Sequence, residues 1–189
     1  LPDGSRAALQ SITPLKQVVM LEGALPTDGT YRITTGVRQG RVGKSALIGG
    51  QWRPVHDTVP AEATQVRTSQ AEPVADAYVS KKGPTRAPVD VVIGRLQIQP
   101  ITHPNALDLS APFELKILFD GKPMAGQELV LDRGGADFEA AAINSTVKTD
   151  AQGKASISFK RAGTYVLMTR HRAAAPAGSE LPAHPGVVE

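Results

Sequence analysis

Between Phe113 and Arg172, apolar side chains recur at every second position in runs cut short by turn residues. Phe113, Leu115, Ile117 and Phe119 alternate around Glu114 and Lys116, and Asp120-Gly121-Lys122-Pro123 follows as a turn. Leu129 and Leu131 repeat the period beside Glu128 and Asp132. After Asp150-Ala151-Gln152-Gly153, Ala155, Ile157 and Phe159 alternate with Ser156, Ser158 and Lys160, and Tyr165 to Met168 is a last apolar run. A period of two puts successive apolar side chains on one face of a strand. Short runs of this kind separated by turn residues predict an antiparallel β-sandwich.

The rest of the chain fits the same class. With 189 residues it holds one large or two small domains, and many short strand signals favour two small β-sandwiches. Aromatics make up only 4% of residues, so the cores are aliphatic; 18 Gly and 15 Pro suit a turn-rich β protein rather than a helical bundle. There is no Cys, which removes disulfides, thiolate metal sites and Cys nucleophiles. The net charge of +3 is too small and scattered to indicate nucleic acid. No apolar run approaches the ~18 residues of a membrane-spanning helix. Leu1-Pro2-Asp3-Gly4 reads as the middle of a turn, so an N-terminal segment is expected to precede it.

In the first half, Lys16–Leu21, Thr30–Thr34, Ser45–Ile48, Gln51–Val55 and Val74–Ser80 read as strands. Gly49-Gly50 between two of them reads as a tight hairpin, because both central residues can take positive φ. The polar stretch Thr58–Ala71 is expected to be a loop, and Asp137–Asn144, with three consecutive Ala, one or two helical turns. The Pro-bearing stretch Lys81–Pro88 places a boundary between a domain at 1–88 and a second at 89–172; residues 173–189 form a Pro/Ala-rich tail or a loop to a strand not present. Asp28-Gly29-Thr30-Tyr31 echoes Ala162-Gly163-Thr164-Tyr165. A Tyr so placed can bury its ring and send its hydroxyl to the backbone.

Motifs for chemistry are sparse. Gly43-Lys44-Ser45 lacks the earlier Gly that a phosphate loop needs, position 38 being Arg, and no helix signal follows it. No Gly-x-Ser-x-Gly elbow occurs, and Asp120 and Asp150 sit in turns, where a carboxylate bonds backbone N–H groups. An enzyme is therefore not expected. Arg32, Arg38, Arg41, Lys44 and Arg53 form a basic run that reads as a solvated sheet face. Of the four histidines, His56, His103, His171 and His184, no two have a short ligand spacing. His103 and His171 fall in the second domain near strand ends, where they can meet at one end of the sandwich, and are the candidate ligands for a transition metal ion.

Several segments resemble one family of exported bacterial proteins of unknown function, many of them described as substrate-specific components of nickel uptake. The resemblance rests on Pro2-Asp3-Gly4-Ser5, Leu15-Lys16-Gln17, Asp28-Gly29-Thr30-Tyr31-Arg32-Ile33, Ala75-Asp76-Ala77-Tyr78-Val79 and Gly83-Pro84-Thr85 in the first half. In the second it rests on Thr102-His103-Pro104-Asn105, Phe119-Asp120-Gly121-Lys122-Pro123-Met124-Ala125-Gly126, Thr149-Asp150-Ala151-Gln152-Gly153 and Ala162-Gly163-Thr164-Tyr165. It implies a periplasmic location after removal of a signal peptide, a β-sandwich, and a first domain lacking its first strands; the second domain is expected to be transthyretin-like or immunoglobulin-like. It also implies a link to nickel, cobalt or other nutrient uptake, with an outer-membrane or periplasmic protein as partner. The expected function is thus a non-catalytic periplasmic accessory or binding protein; the alternative is a structural or protein-interaction module without a small ligand.

Overall fold

The computed structural model describes residues 1–56, 58–135, 144–179 and 187–188. In chain order its strands are β1 (Ser11–Pro14), β2 (Val19–Glu22), β3 (Gly29–Thr34), β4 (Gly43–Ile48), β5 (Gln51–Val55), β6 (Gln65–Gln70), β7 (Asp76–Lys81) and β8 (Leu96–Pro100). They continue as β9 (Phe113–Phe119), β10 (Lys122–Pro123), β11 (Glu128–Arg133), β12 (Asn144–Lys148), β13 (Lys154–Ile157), β14 (Tyr165–Thr169), β15 (Ala173–Ala174) and β16 (Val187–Val188). One helical turn, α1 (Ala87–Asp90), lies between β7 and β8. The protein is therefore all-β, in several sheets whose pairings are antiparallel apart from β16 with β6.

The chain groups into two compact units, Leu1–Thr34 with Asp76–Met168, and Thr35–Ala75 with Thr169–Glu189. In the first unit β9 is central to a four-stranded sheet, with β8 on one edge and β10 and β13 on the other. β11 lies between β12 and β14 in a three-stranded sheet. Both sheets contribute to one apolar core: Phe113, Leu115 and Ile117 of β9, Leu129 and Leu131 of β11, and Ala155 and Ile157 of β13. Those are the residues whose alternation predicts them inward. Phe119, next in the series, is half-buried, and the Arg95 guanidinium lies 4.6 Å from its ring centroid. The Asp150–Gly153 turn behaves as expected: the Asp150 carboxylate accepts from the Gln152 and Lys154 amides, both at 2.8 Å. Gly153 closes that turn at φ 72°, where a Cβ would come within 2.9 Å of the Ile117 carbonyl oxygen. Asp120 receives a two-point ion pair from Arg95, at 2.8 and 2.7 Å.

The first unit also holds two two-stranded ribbons, β1–β2 and β3–β7. In the echoed segments Tyr31 and Tyr165 each donate a hydroxyl hydrogen bond to the carbonyl four residues back, Thr27 at 2.8 Å and Arg161 at 2.7 Å. The second unit is a five-stranded sheet in the order β15, β16, β6, β4, β5. Gly49 and Gly50 join β4 to β5 at φ 57° and 77°, the two-residue hairpin expected there.

Several elements differ from the sequence expectation. Thr58–Ala71 is not all loop, because β6 pairs with β4 along Gln65–Ser69; its period is carried by Val66 and Thr68 among polar neighbours, too faint to read alone. The run Lys16–Leu21 is split: Lys16 and Gln17 belong to the connection closed by the Leu15 amide on the Val18 carbonyl at 2.8 Å, and β2 begins at Val19. The stretch around the expected boundary at residue 88 also holds the helical turn α1, in which Pro88 and Val89 are buried and Pro presets helical φ. Of the expected helix, Asp137–Ile143 lie outside the described residues, and Asn144 opens β12. Within the expected tail, Ala173–Ala174 and Val187–Val188 form β15 and β16, which pair with each other, and β16 also pairs with β6. The limits of the units also depart from a division at residue 88, since β3, β7 and α1 fall with the later strands.

Candidate functional site

The segment Thr102-His103-Pro104-Asn105 forms a turn, closed by the Ala106 amide on the His103 carbonyl at 2.9 Å, with Pro104 supplying the fixed φ of its second position. Arg86 steadies the chain leading into it: its guanidinium donates to the carbonyls of Pro100 and Ile101 and to the Asp90 carboxylate. From this turn His103 and Asn105 reach the β3–β7 ribbon. His103 Nε2 lies 3.1 Å from both Thr30 Oγ1 and the Thr85 carbonyl oxygen, and Nδ1 accepts from the Asn105 amide at 3.1 Å. Ser80 Oγ lies 2.8 Å from Thr30 Oγ1 and donates to Asn105 Oδ1 at 2.9 Å; Asn105 Nδ2 donates to the Tyr78 carbonyl at 2.9 Å. Thr30 and Thr85 exchange reciprocal bonds, each amide donating to the other's hydroxyl at 2.9 Å.

This network assigns its own protons. The Ser80 hydrogen is used on Asn105, so Thr30 donates to Ser80, and His103 Nε2–H must donate to Thr30 and Thr85. Nδ1 is then the acceptor, since a backbone N–H faces it. As folded, both ring nitrogens are occupied. The Thr30 side chain is fully buried, so the Thr30–His103 pair offers a substrate no approach. The arrangement ties a loop to a ribbon.

His103 belongs to the first unit and His171 to the second. His171 follows β14 and is half-buried, His56 is exposed beyond β5, and His184 lies outside the described residues. Among the described residues no group of three or more His, Asp or Glu gathers as a metal cage. The exposed carboxylates with perturbed acidity are turn formers. Asp3 and Asp108 are both held below the ordinary range by bonds from the hydroxyl and amide of Ser5 and Ser110, the reverse of what a general acid needs.

The basic run is dispersed. Arg32 has only 10% of its side chain exposed; it donates to Asp76 and to the Val91 carbonyl, each at 2.6 Å, and stacks over Tyr78. It holds β3 to β7 and to the chain after α1. Lys44 and Arg53 are exposed on β4 and β5.

The surface that sequence reading passed over is the β1–β2 ribbon. Ile12 pairs with Leu21 and Pro14 with Val19, so these four share one face. Ile12, Leu15, Val18, Val19, Met20 and Leu21 are each more than half exposed, Ile12 at 61%. Neither strand pairs with any further strand among the described residues. The signal in the sequence is an apolar run, Val18–Leu21, which reads equally as a buried strand; nothing local says that its partner leaves both faces open.

Among known proteins, the family described as Domain of unknown function (DUF4198) matches residues 1–173. No curated protein and no solved structure matches the chain.

Proposed function

The chain belongs to the DUF4198 family of unknown function, and from that premise we propose that it is a non-catalytic accessory or binding protein of the periplasm that presents its β1–β2 ribbon to a protein partner. The observation that carries this reading is the six large apolar side chains left more than half exposed on the β1–β2 ribbon and its connection. Contiguous exposed apolar surface is costly and marks an interaction site. A protein suits it better than a lipid, because the outer edges of β1 and β2 also carry backbone N–H and C=O groups, which an added strand can pair and an acyl chain cannot. The periplasmic location and the outer-membrane or periplasmic partner come from the resemblance.

A photo-crosslinking residue at Val19, in cells making the natural full-length protein, tests the reading. A discrete protein adduct, lost on Ile12→Asp with folding intact, supports it; only lipid adducts, or none, would sink it. The link to nickel or cobalt is tested separately by calorimetry. Heat from either ion that His103→Ala or His171→Ala removes would bring the metal into the function; no heat would leave the ribbon alone.

A further inference from the structure

The second unit carries a different surface. Residues alternate between the faces of its sheet, and one face brings together Trp52 of β5, Ser45 and Leu47 of β4, and Gln65, Arg67 and Ser69 of β6. Ser45 lies directly opposite Arg67, and Leu47 opposite Trp52. The other face holds the buried residues of these strands, Ala46 and Thr68. Trp52 is 38% exposed, and the Arg67 guanidinium lies 4.1 Å from its ring centroid. Arg67 Nε is buried without a hydrogen-bond partner. Across β4, β5 and β6 the charged residues are Lys44, Arg53 and Arg67, with no Asp or Glu.

An indole beside a guanidinium that pairs with no carboxylate among the described residues is arranged for a particular chemistry. The ring fixes the guanidinium plane, so the remaining N–H groups are presented as a planar fork that fits a carboxylate. The exposed part of the indole offers an apolar surface to the C–H groups of a sugar ring, and Ser45, Ser69 and Gln65 supply hydroxyl and amide groups for its hydroxyls. Nucleic acid is a poorer match: phosphate-chain binding draws on many cations along a track, and this face carries one. The geometry points to a binding site for an anionic polysaccharide built of hexuronate units, with Trp52 as the stacking platform and Arg67 as the carboxylate ligand.

Trp52 is the single tryptophan of the chain, so its fluorescence reports this site alone. Titration with polygalacturonate is expected to give a saturable emission change that dextran, an uncharged polysaccharide, does not. Arg67→Ala should weaken binding about ten-fold or more, the loss of one charge-assisted pair. Arg67→Lys keeps the charge but not the fork, and is expected to weaken binding too, which covers an alanine variant that fails to fold. Trp52→Phe, followed by calorimetry, should weaken it as well. No saturable change, unchanged affinity in a folded Arg67 variant, or equal affinity for polyphosphate or DNA would overturn the assignment.

Discussion

His103 holds its loop through bonds at both ring nitrogens, and its value to the fold follows from what its removal orphans. Without the imidazole, the Asn105 amide loses its acceptor and the buried Thr30 hydroxyl one of its partners. Leaving such groups unsatisfied costs about 1–3 kcal/mol, so His103→Ala is expected to destabilise by that amount in denaturant unfolding. A change near zero would mean that water replaces the ring. Tyr78 gives a second test at this scale. Burial raises its phenol above the ordinary 10.0, although Arg32 pulls the other way. The folded state therefore keeps this proton to higher pH than the unfolded chain does. Its contribution is complete below about pH 10 and is lost as pH rises through the folded value. Unfolding free energy measured upward from pH 9 should fall more steeply in the wild type than in Tyr78→Phe. Parallel profiles would show that the phenol is not sheltered.

Among the strands, β9 and the β1–β2 ribbon show how far apolar side chains can differ in consequence. Leu115 is fully buried in a core shared by two sheets, and Leu115→Ala is expected to cost about 2–5 kcal/mol by thermal or denaturant unfolding. Val19 is more than half exposed, and Val19→Ser should stay within about 0.5 kcal/mol of wild type in the same measurement. The contrast also explains what could be read from sequence. β9 was legible because Glu114 and Lys116 mark the outward side between Phe113, Leu115 and Ile117. β6 was not, because Gln65, Arg67 and Ser69 surround only Val66 and Thr68, and its strand character comes from β4, which no local pattern encodes. The exposure of β1–β2 was equally hidden, since a run such as Val18–Leu21 looks the same whether it is covered or open. The His103 network was half legible: the turn chemistry of His103-Pro104-Asn105 is local, but Thr30 and Thr85 are 73 and 18 positions from His103, Ser80 is 25 from Asn105, and Thr30 meets Ser80 only through the pairing of β3 with β7.

At the scale of the whole molecule, buried apolar surface is divided unequally. The first unit owns the core of β9, β11 and β13, whereas the buried residues of β4 and β6 in the second unit are Ala46 and Thr68. Apolar burial sets most of the free energy that resists opening, so β4 and β6, whose fully buried side chains are one alanine and one threonine, depend more on their hydrogen-bond ladder than β9 and β11 do. The two units should therefore open at different free energies. Native-state hydrogen exchange with increasing denaturant is the measurement. Amides of β9, β11 and β13 are expected to exchange only through global unfolding. Those of β4, β5 and β6 should exchange through an opening of lower free energy and smaller denaturant dependence, because less surface is exposed. A single isotherm joining both sets would show that the second unit draws its stability from the first. Polygalacturonate bound at Trp52 and Arg67 should raise the protection of β4 to β6 selectively, since a ligand stabilises the folded form of the part it binds.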